Sequence, residues 1–141
     1  MKFLRLSLLA ASLCVAPAPA PGRDTVVAGP MFTVKQGREL KIKGADLRIT
    51  FLAVEEDSRC PKDVECIQAG NARVRLLARN SKGARARFVL NTDILRGARR
   101  YEFGKYGIEL IRLSPQPTAG APKRRAYEAV LSIYGGTPPN R

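Results

Sequence analysis

The sequence predicts an all-β fold, a single immunoglobulin-like antiparallel β-sandwich with one short-loop disulfide. Three observations carry that prediction. Short apolar-alternating segments recur between residues 31 and 134, separated by Gly, Pro, Asn and Asp, which is the pattern of sandwiches and barrels. The stretch Ala84–Leu90 has no apolar stripe at helical spacing. Two cysteines, Cys60 and Cys66, stand in a short acidic turn between two of the alternating segments.

At the N-terminus, Lys2 and Arg5 precede an apolar run, Leu6–Val15, and small residues and prolines follow from Ala16 to Gly22. A charged start, a short apolar middle and a small-residue end make residues 1–22 a secretory signal peptide. The run falls far short of the ~20 residues needed to cross a bilayer. Cleavage after Ala20 would leave Pro21 next to the cut, whereas Ala20-Pro21-Gly22 places it before Arg23. Leu13, ahead of Cys14, stands where a lipidation site needs a small residue. The exported chain, periplasmic or secreted, keeps two cysteines, and an even count in an oxidising compartment points to one Cys60–Cys66 bridge. Closing so short a ring is worth about 2 kcal/mol in chain entropy, so its main effect is to hold the loop's shape.

The expected strands of a domain over residues 23–134 are, in order, Met31–Lys35, Glu39–Lys43, Leu47–Val54, Asn71–Arg79, Ala84–Asn91, Arg99–Phe103, Ile108–Leu113 and Arg125–Tyr134, followed by a Gly- and Pro-containing tail over 135–141. Period-2 alternation puts Leu47, Ile49, Phe51 and Ala53 on one face, and Tyr127, Ala129, Leu131 and Ile133 on another. Between strands, Thr92–Gly97 is expected to form a helical turn, with Thr92 capping Asp93-Ile94-Leu95.

The hairpin at Asn80-Ser81-Lys82-Gly83 allows a sharper inference. A two-residue loop would set arginines opposite core residues. A three-residue loop, Ser81-Lys82-Gly83, pairs Ala78 with Ala86, Leu76 with Phe88 and Val74 with Leu90, and puts Gly83 where a left-handed residue is wanted. In that register Arg73, Arg75, Arg79, Arg85 and Arg87 share the outer face of two neighbouring strands. Five such charges repel one another unless something negative lies over them. Lys41 and Lys43 also alternate outward on their own strand, and a second basic cluster, Lys123-Arg124-Arg125, follows the Pro-rich loop Ser114–Pro122.

The turn itself reads Glu55-Glu56-Asp57-Ser58-Arg59-Cys60-Pro61-Lys62-Asp63-Val64-Glu65-Cys66-Ile67-Gln68-Ala69-Gly70. Asp57 and Ser58 can accept from backbone N–H groups two residues on and so start a turn. Pro61 fixes φ inside the ring, and Gly70 provides a sharp return into the next strand. Arg59 is placed to bridge Asp57, Asp63 or a backbone carbonyl. Glu56-Asp57-Ser58-Arg59-Cys60-Pro61, then Val64, Cys66 and Ala69-Gly70, resembles a group of small uncharacterised bacterial exported proteins and lipoproteins. They carry E-D-S-R-C-P-x-x-V-x-C-x-x-A-G between two predicted strands, often with an aromatic residue where this chain has Gln68. The resemblance implies an exported β domain with a Cys60–Cys66 bridge, and carries no activity with it.

Chemistry narrows the classes. The chain has no histidine, which removes the usual general base, the Ser-His and Cys-His nucleophile pairs and most zinc or copper sites. Glu55, Glu56, Asp57, Asp63 and Glu65 offer the oxygens a calcium ion wants, but their spacing matches no EF-hand loop, and Arg59 and Lys62 supply competing charge. The cysteine spacing differs from that of redox-active Cys-x-x-Cys pairs. Loss of Lys2 and Arg5 lowers the formal charge from +13 to +11, which still draws the chain to polyanions, although export makes nucleic acid a poor default partner.

The expectation is a non-enzymatic envelope binding or accessory module that uses no cofactor or metal. Its contact residues would be Asp57 and Arg59 of the loop and Arg73, Arg75, Arg79, Arg85 and Arg87 of the hairpin face. Its partner would be a protein or an anionic envelope component. Two alternatives are salt-sensitive association with anionic envelope polymers and inhibition of a secreted hydrolase.

Overall fold

The computed structural model describes residues 29–121 and 125–135. The expected signal peptide, Cys14, Lys123, Arg124 and the tail beyond Gly135 lie outside these residues. The described chain holds eight strands and no helix: β1 (Met31–Lys35), β2 (Glu39–Lys41), β3 (Arg48–Asp57), β4 (Ala72–Arg79), β5 (Arg85–Asn91), β6 (Arg100–Phe103), β7 (Tyr106–Ser114) and β8 (Glu128–Gly135). Every expected strand is present, with ends shifted by up to three residues. Thr92–Gly97 forms a turn and not the expected helical one.

The strands make two antiparallel four-stranded sheets, ordered β1-β8-β7-β6 and β2-β3-β4-β5. Neighbours in each sheet are neighbours in the chain, apart from β1 beside β8. The two layers are those of an immunoglobulin-like sandwich, while the connections run as meanders in place of the Greek-key crossings of immunoglobulin domains. One crossing between sheets is the three-residue turn Gln36-Gly37-Arg38, tied on both sides by Gln36 N–H donating to Tyr127 O (2.9 Å) and Gly37 N–H donating to Phe51 O (2.7 Å). At the opposite side Phe88 of β5 stacks on Tyr101 of β6, ring centroids 4.1 Å apart. Between the layers lies one core, with Leu47, Ile49, Phe51, Val74, Leu76, Leu90, Ile108, Leu110 and Leu131 essentially inaccessible to water.

The β4–β5 hairpin has the expected register: Ala78 faces Ala86, Leu76 faces Phe88 and Val74 faces Leu90. Gly83 takes φ = 86°, and the Asn80 side chain accepts from Ala84 N–H (2.9 Å), closing the loop. Core alternation does not run unbroken along the long strands. In β3, Phe51 faces Leu76, but the next pairs are Ala53 with Arg75 and Val54 with Val74. Leu52 is therefore a bulged residue, and Ala53 turns to the outer face, contrary to the sequence expectation, while Val54 packs against the core. Glu55 bulges next, and Asp57 comes back to the inner side opposite Ala72. In β7 the bulge at Ile111 likewise turns both Leu110 and Leu113 inward. Arg99 covers it, donating to Leu110 O (2.7 Å) and Ile111 O (2.9 Å).

A Cβ at position 83 would meet nothing within 4 Å, so Gly83→Ala tests backbone strain alone. It is expected to cost about 1 kcal/mol, the penalty of a left-handed L-residue, read as a lower urea midpoint at unchanged m-value. No change would mean that the loop relaxes to another turn.

Candidate functional site

The bulged end of β3 delivers Asp57 to the inner side, where its carboxylate becomes the hub of a network. Asp57 Oδ1 accepts from Arg59 N–H (3.3 Å) and Nε (2.8 Å), and Oδ2 accepts from Arg59 Nη2 (2.8 Å) and from the Tyr127 hydroxyl (2.9 Å). Arg125 Nη1 stands 3.9 Å from the same carboxylate. The Asp57 and Arg59 side chains are only 9% and 12% exposed. Arg59 directs its remaining donors across the sandwich, Nη1 to Leu113 O (2.6 Å) and Nη2 to Pro115 O (2.8 Å). One guanidinium thus ties the β3 end to the β7 end. Of the partners expected for Arg59, Asp57 and backbone carbonyls are used and Asp63 is not. Asp63 instead accepts from Ala119 N–H (2.9 Å).

Burial opposes ionisation of Asp57, but the hydrogen bonds from Arg59 and Tyr127 together with the Arg59 charge outweigh it and hold the carboxyl below its ordinary range. Burial and the Asp57 charge together push the Tyr127 hydroxyl up, so it stays a donor.

Beyond this hub the chain runs through the disulfide, whose Cα atoms are 5.9 Å apart. Cys60 N–H donates to Ala69 O (2.8 Å) and Lys62 N–H to Pro117 O (2.9 Å), so both arms of the loop are tied down. Gly70, at φ = 70°, lies against Ser58, where any Cβ would overlap the Ser58 carbonyl. The Ser58 hydroxyl accepts from Asn71 N–H (3.2 Å), so it closes a long-range contact and not the local turn expected of it. Asn71 was not singled out by sequence reasoning, yet it is buried and holds three segments. Its Nδ2 donates to Asn91 Oδ1 (2.8 Å), and its Oδ1 accepts from Thr92 Oγ1 (3.3 Å) and Asp93 N–H (3.1 Å). Thr92 Oγ1 in turn accepts from Ala72 N–H (2.8 Å), so Thr92 caps the neighbouring strand and no helix. Asparagines where strands meet turns, at 71 and 91, are the signal that could have found this network.

These bonds bring the 92–97 turn against the disulfide loop, and Arg96 Nη2 donating to Gln68 Oε1 (2.9 Å) joins their tips. Four apolar side chains are left in water there: Val64 and Ile67 on one loop, Ile94 and Leu95 on the other. Ile67 is as exposed as in an extended chain. A groove of about 450 Å³ runs between the loops, lined by Arg59, Cys60, Gly70, Thr92, Ile94 and Gln116 among others.

The sequence-predicted contact residues are thereby divided. Asp57 and Arg59 are largely buried and hold the loop, and Arg59 also lines the groove. The five arginines do share the outer face, all exposed, but the acids beside them come from the same chain. Glu55 pairs with Arg73 (3.1 Å) and Arg75, and Glu39 pairs with Arg79 and Arg48. Only Arg85 and Arg87 of the five make no ion pair among the described residues. Lys41 faces Arg48 from β2, the opposite edge of the sheet, with β3 and β4 between it and β5. The five loop carboxylates are likewise dispersed, and among the described residues no three of the cysteine, aspartate and glutamate side chains converge as metal ligands. No helix of the described residues is long and apolar enough to cross a membrane. No protein-family model matches the chain, no curated protein matches it in sequence and no solved structure matches it in fold.

Because the folded-state pKa of Asp57 lies below its ordinary value of 3.8, its ionised form contributes stability that is full above that value and is lost as pH falls through the folded-state pKa. Asp57→Asn should cost about 3 kcal/mol at neutral pH, since it leaves a largely buried Arg59 without its charge partner. It should also flatten the loss of stability on acidification. Urea midpoints of both proteins at neutral and acidic pH check this. An equally steep acid loss in the variant would place the titrating group elsewhere.

Proposed function

We propose that this protein is a non-enzymatic, exported binding or accessory module of the bacterial envelope, and that it engages its partner with the loop end of the sandwich. The observation that carries the reading is Ile67, fully exposed at the tip of a loop that a disulfide and a buried carboxylate–guanidinium pair hold in place. Apolar side chains collected on fixed loops mark protein contact sites. A loop already ordered loses little conformational entropy on binding. Val64, Ile94 and Leu95 supply further apolar surface beside it. The missing histidines support a role other than acid–base catalysis. The N-terminal segment and the disulfide both suit an oxidising compartment outside the cytoplasm.

A salt-sensitive attachment through arginines alone is the competing reading, and the observed pairing of Arg73, Arg75 and Arg79 with Glu55 and Glu39 counts against it. A crosslinking pull-down from envelope extract separates the two. Disulfide-intact wild type is expected to retain a discrete partner at high salt. The double variant Ile67→Ser/Leu95→Ser should lose it while keeping the wild-type unfolding midpoint, since exposed substitutions shift stability by only about 0.5 kcal/mol. A broad anionic retention that vanishes with salt and ignores the double variant would overturn the loop-end reading.

A further inference from the structure

The β5 strand is the outer edge of its sheet, and hydrogen bonding fixes which of its residues face that edge. Asn80 N–H donates to Ala84 O (3.0 Å) and Thr92 N–H donates to Ala72 O (3.1 Å). Antiparallel pairs alternate between bonded and non-bonded, so positions 84, 86, 88, 90 and 92 bond to β4. Arg85, Arg87, Val89 and Asn91 direct their N–H and C=O groups the other way. Asn91 confirms the direction, since its N–H reaches outward to Ala98 O (2.8 Å). For Arg85, Arg87 and Val89 no backbone partner stands on that side among the described residues. The edge is not covered at its start either: a groove of about 420 Å³, lined by Lys82, Ala84, Phe103 and Lys105 among others, separates it from the β6–β7 turn.

The side chains of Arg85, Arg87 and Val89 all lie on the outer face, because cross-strand partners and alternate positions share a face. Arg85 and Arg87 are also the two hairpin arginines that make no ion pair among the described residues. A second copy of this chain does not suit the edge. Antiparallel β5–β5 pairing about Arg87 sets Arg87 against itself, and pairing about Ala86 sets each Arg85 against an Arg87, and like charges directly opposite are destabilising; pairing about Phe88 avoids this but needs the Asn91 N–H, which Ala98 O already takes.

We infer that β5 accepts an added strand from an acidic partner: an extended peptide segment with Asp or Glu at alternate positions, adding antiparallel to β5 so that two carboxylates lie opposite Arg87 and Arg85 and an apolar residue lies opposite Val89. Strand addition draws affinity from main-chain bonds and specificity from alternate side chains. Both elements are present here. This site is separate from the loop end and stands or falls independently of it.

Titration of the protein with a short, capped, threonine-rich peptide carrying glutamate at alternate positions tests the inference. It should bind about tenfold more tightly than an isomer with the same glutamates adjacent, because only alternation puts both beside the arginines. The Arg85, Arg87 and Val89 amide protons should shift and gain protection from exchange. N-methylation of the peptide at the positions that bond to β5 should abolish binding, and Arg85→Gln/Arg87→Gln should weaken it about tenfold at an unchanged unfolding midpoint. Equal binding by the isomer, by the N-methylated peptide or by inorganic polyphosphate would reduce the edge to a non-specific anion attractor and overturn the inference. Absence of binding would overturn it too, leaving Arg85 and Arg87 as charges that keep an open edge from pairing.

Discussion

The pairing of Arg59 with Asp57 is the constraint on which the loop end of this protein depends. A guanidinium presents a planar fork of donors, and Arg59 uses it in two directions: toward the Asp57 carboxylate and toward the carbonyls of Leu113 and Pro115. The first fixes the end of β3 and the second fastens it to the opposite sheet. Tyr127, at the entrance to β8, adds its hydroxyl to the same carboxylate. The disulfide therefore closes a ring whose base is already anchored, and its seven residues project from a fixed support.

The two bulges of β3 cancel each other at Asp57, which faces inward as unbroken alternation from Phe51 would have it, while the residues between them change sides. Two bulges, at Leu52 and Glu55, carry out separate tasks. The first turns Val54 to the core, and the second frees Glu55 to neutralise Arg73 and Arg75 while returning Asp57 to the inner side. A bulge inserts one extra residue and so re-aims the side chains on its C-terminal side. Here that re-aiming moves Glu55 out of the inward set to pair with Arg73 and Arg75 and leaves Asp57 as the inward hub. The β7 bulge obeys the same logic, with Arg99 donating to the carbonyls it exposes.

About half of the arginines have partners within the chain. The chain has 17 arginines, and Arg59 and Arg99 are bound to backbone carbonyls while Arg48, Arg73, Arg75, Arg79, Arg96 and Arg100 sit beside acids. Half-exposed pairs of this kind contribute little stability. What they do is set a charge gradient across the outer face of one sheet, compensated near β2 and β3 and uncompensated at the β5 edge. Net charge alone could not reveal that gradient, because it depends on which strands are neighbours.

The sequence alone determined the eight strands, the two-layer core, the three-residue hairpin loop with its register, and the Cys60–Cys66 pairing. Each of these is local: period-2 alternation marks a strand, and one turn residue with positive φ sets one hairpin. The tertiary structure decided what the marked residues do. Asp57 and Arg59 belong to a largely buried anchor, Thr92 binds a neighbouring strand, and Asn71 ties the start of β4 to Asn91, Thr92 and Asp93, about twenty positions away. Alternation likewise predicted an inward Ala53, because a bulge inserts a residue without any compositional mark. Such assignments rest on partners distant in sequence, and a one-dimensional pattern records the period of a strand but not the contacts that the assembled sheets impose on it.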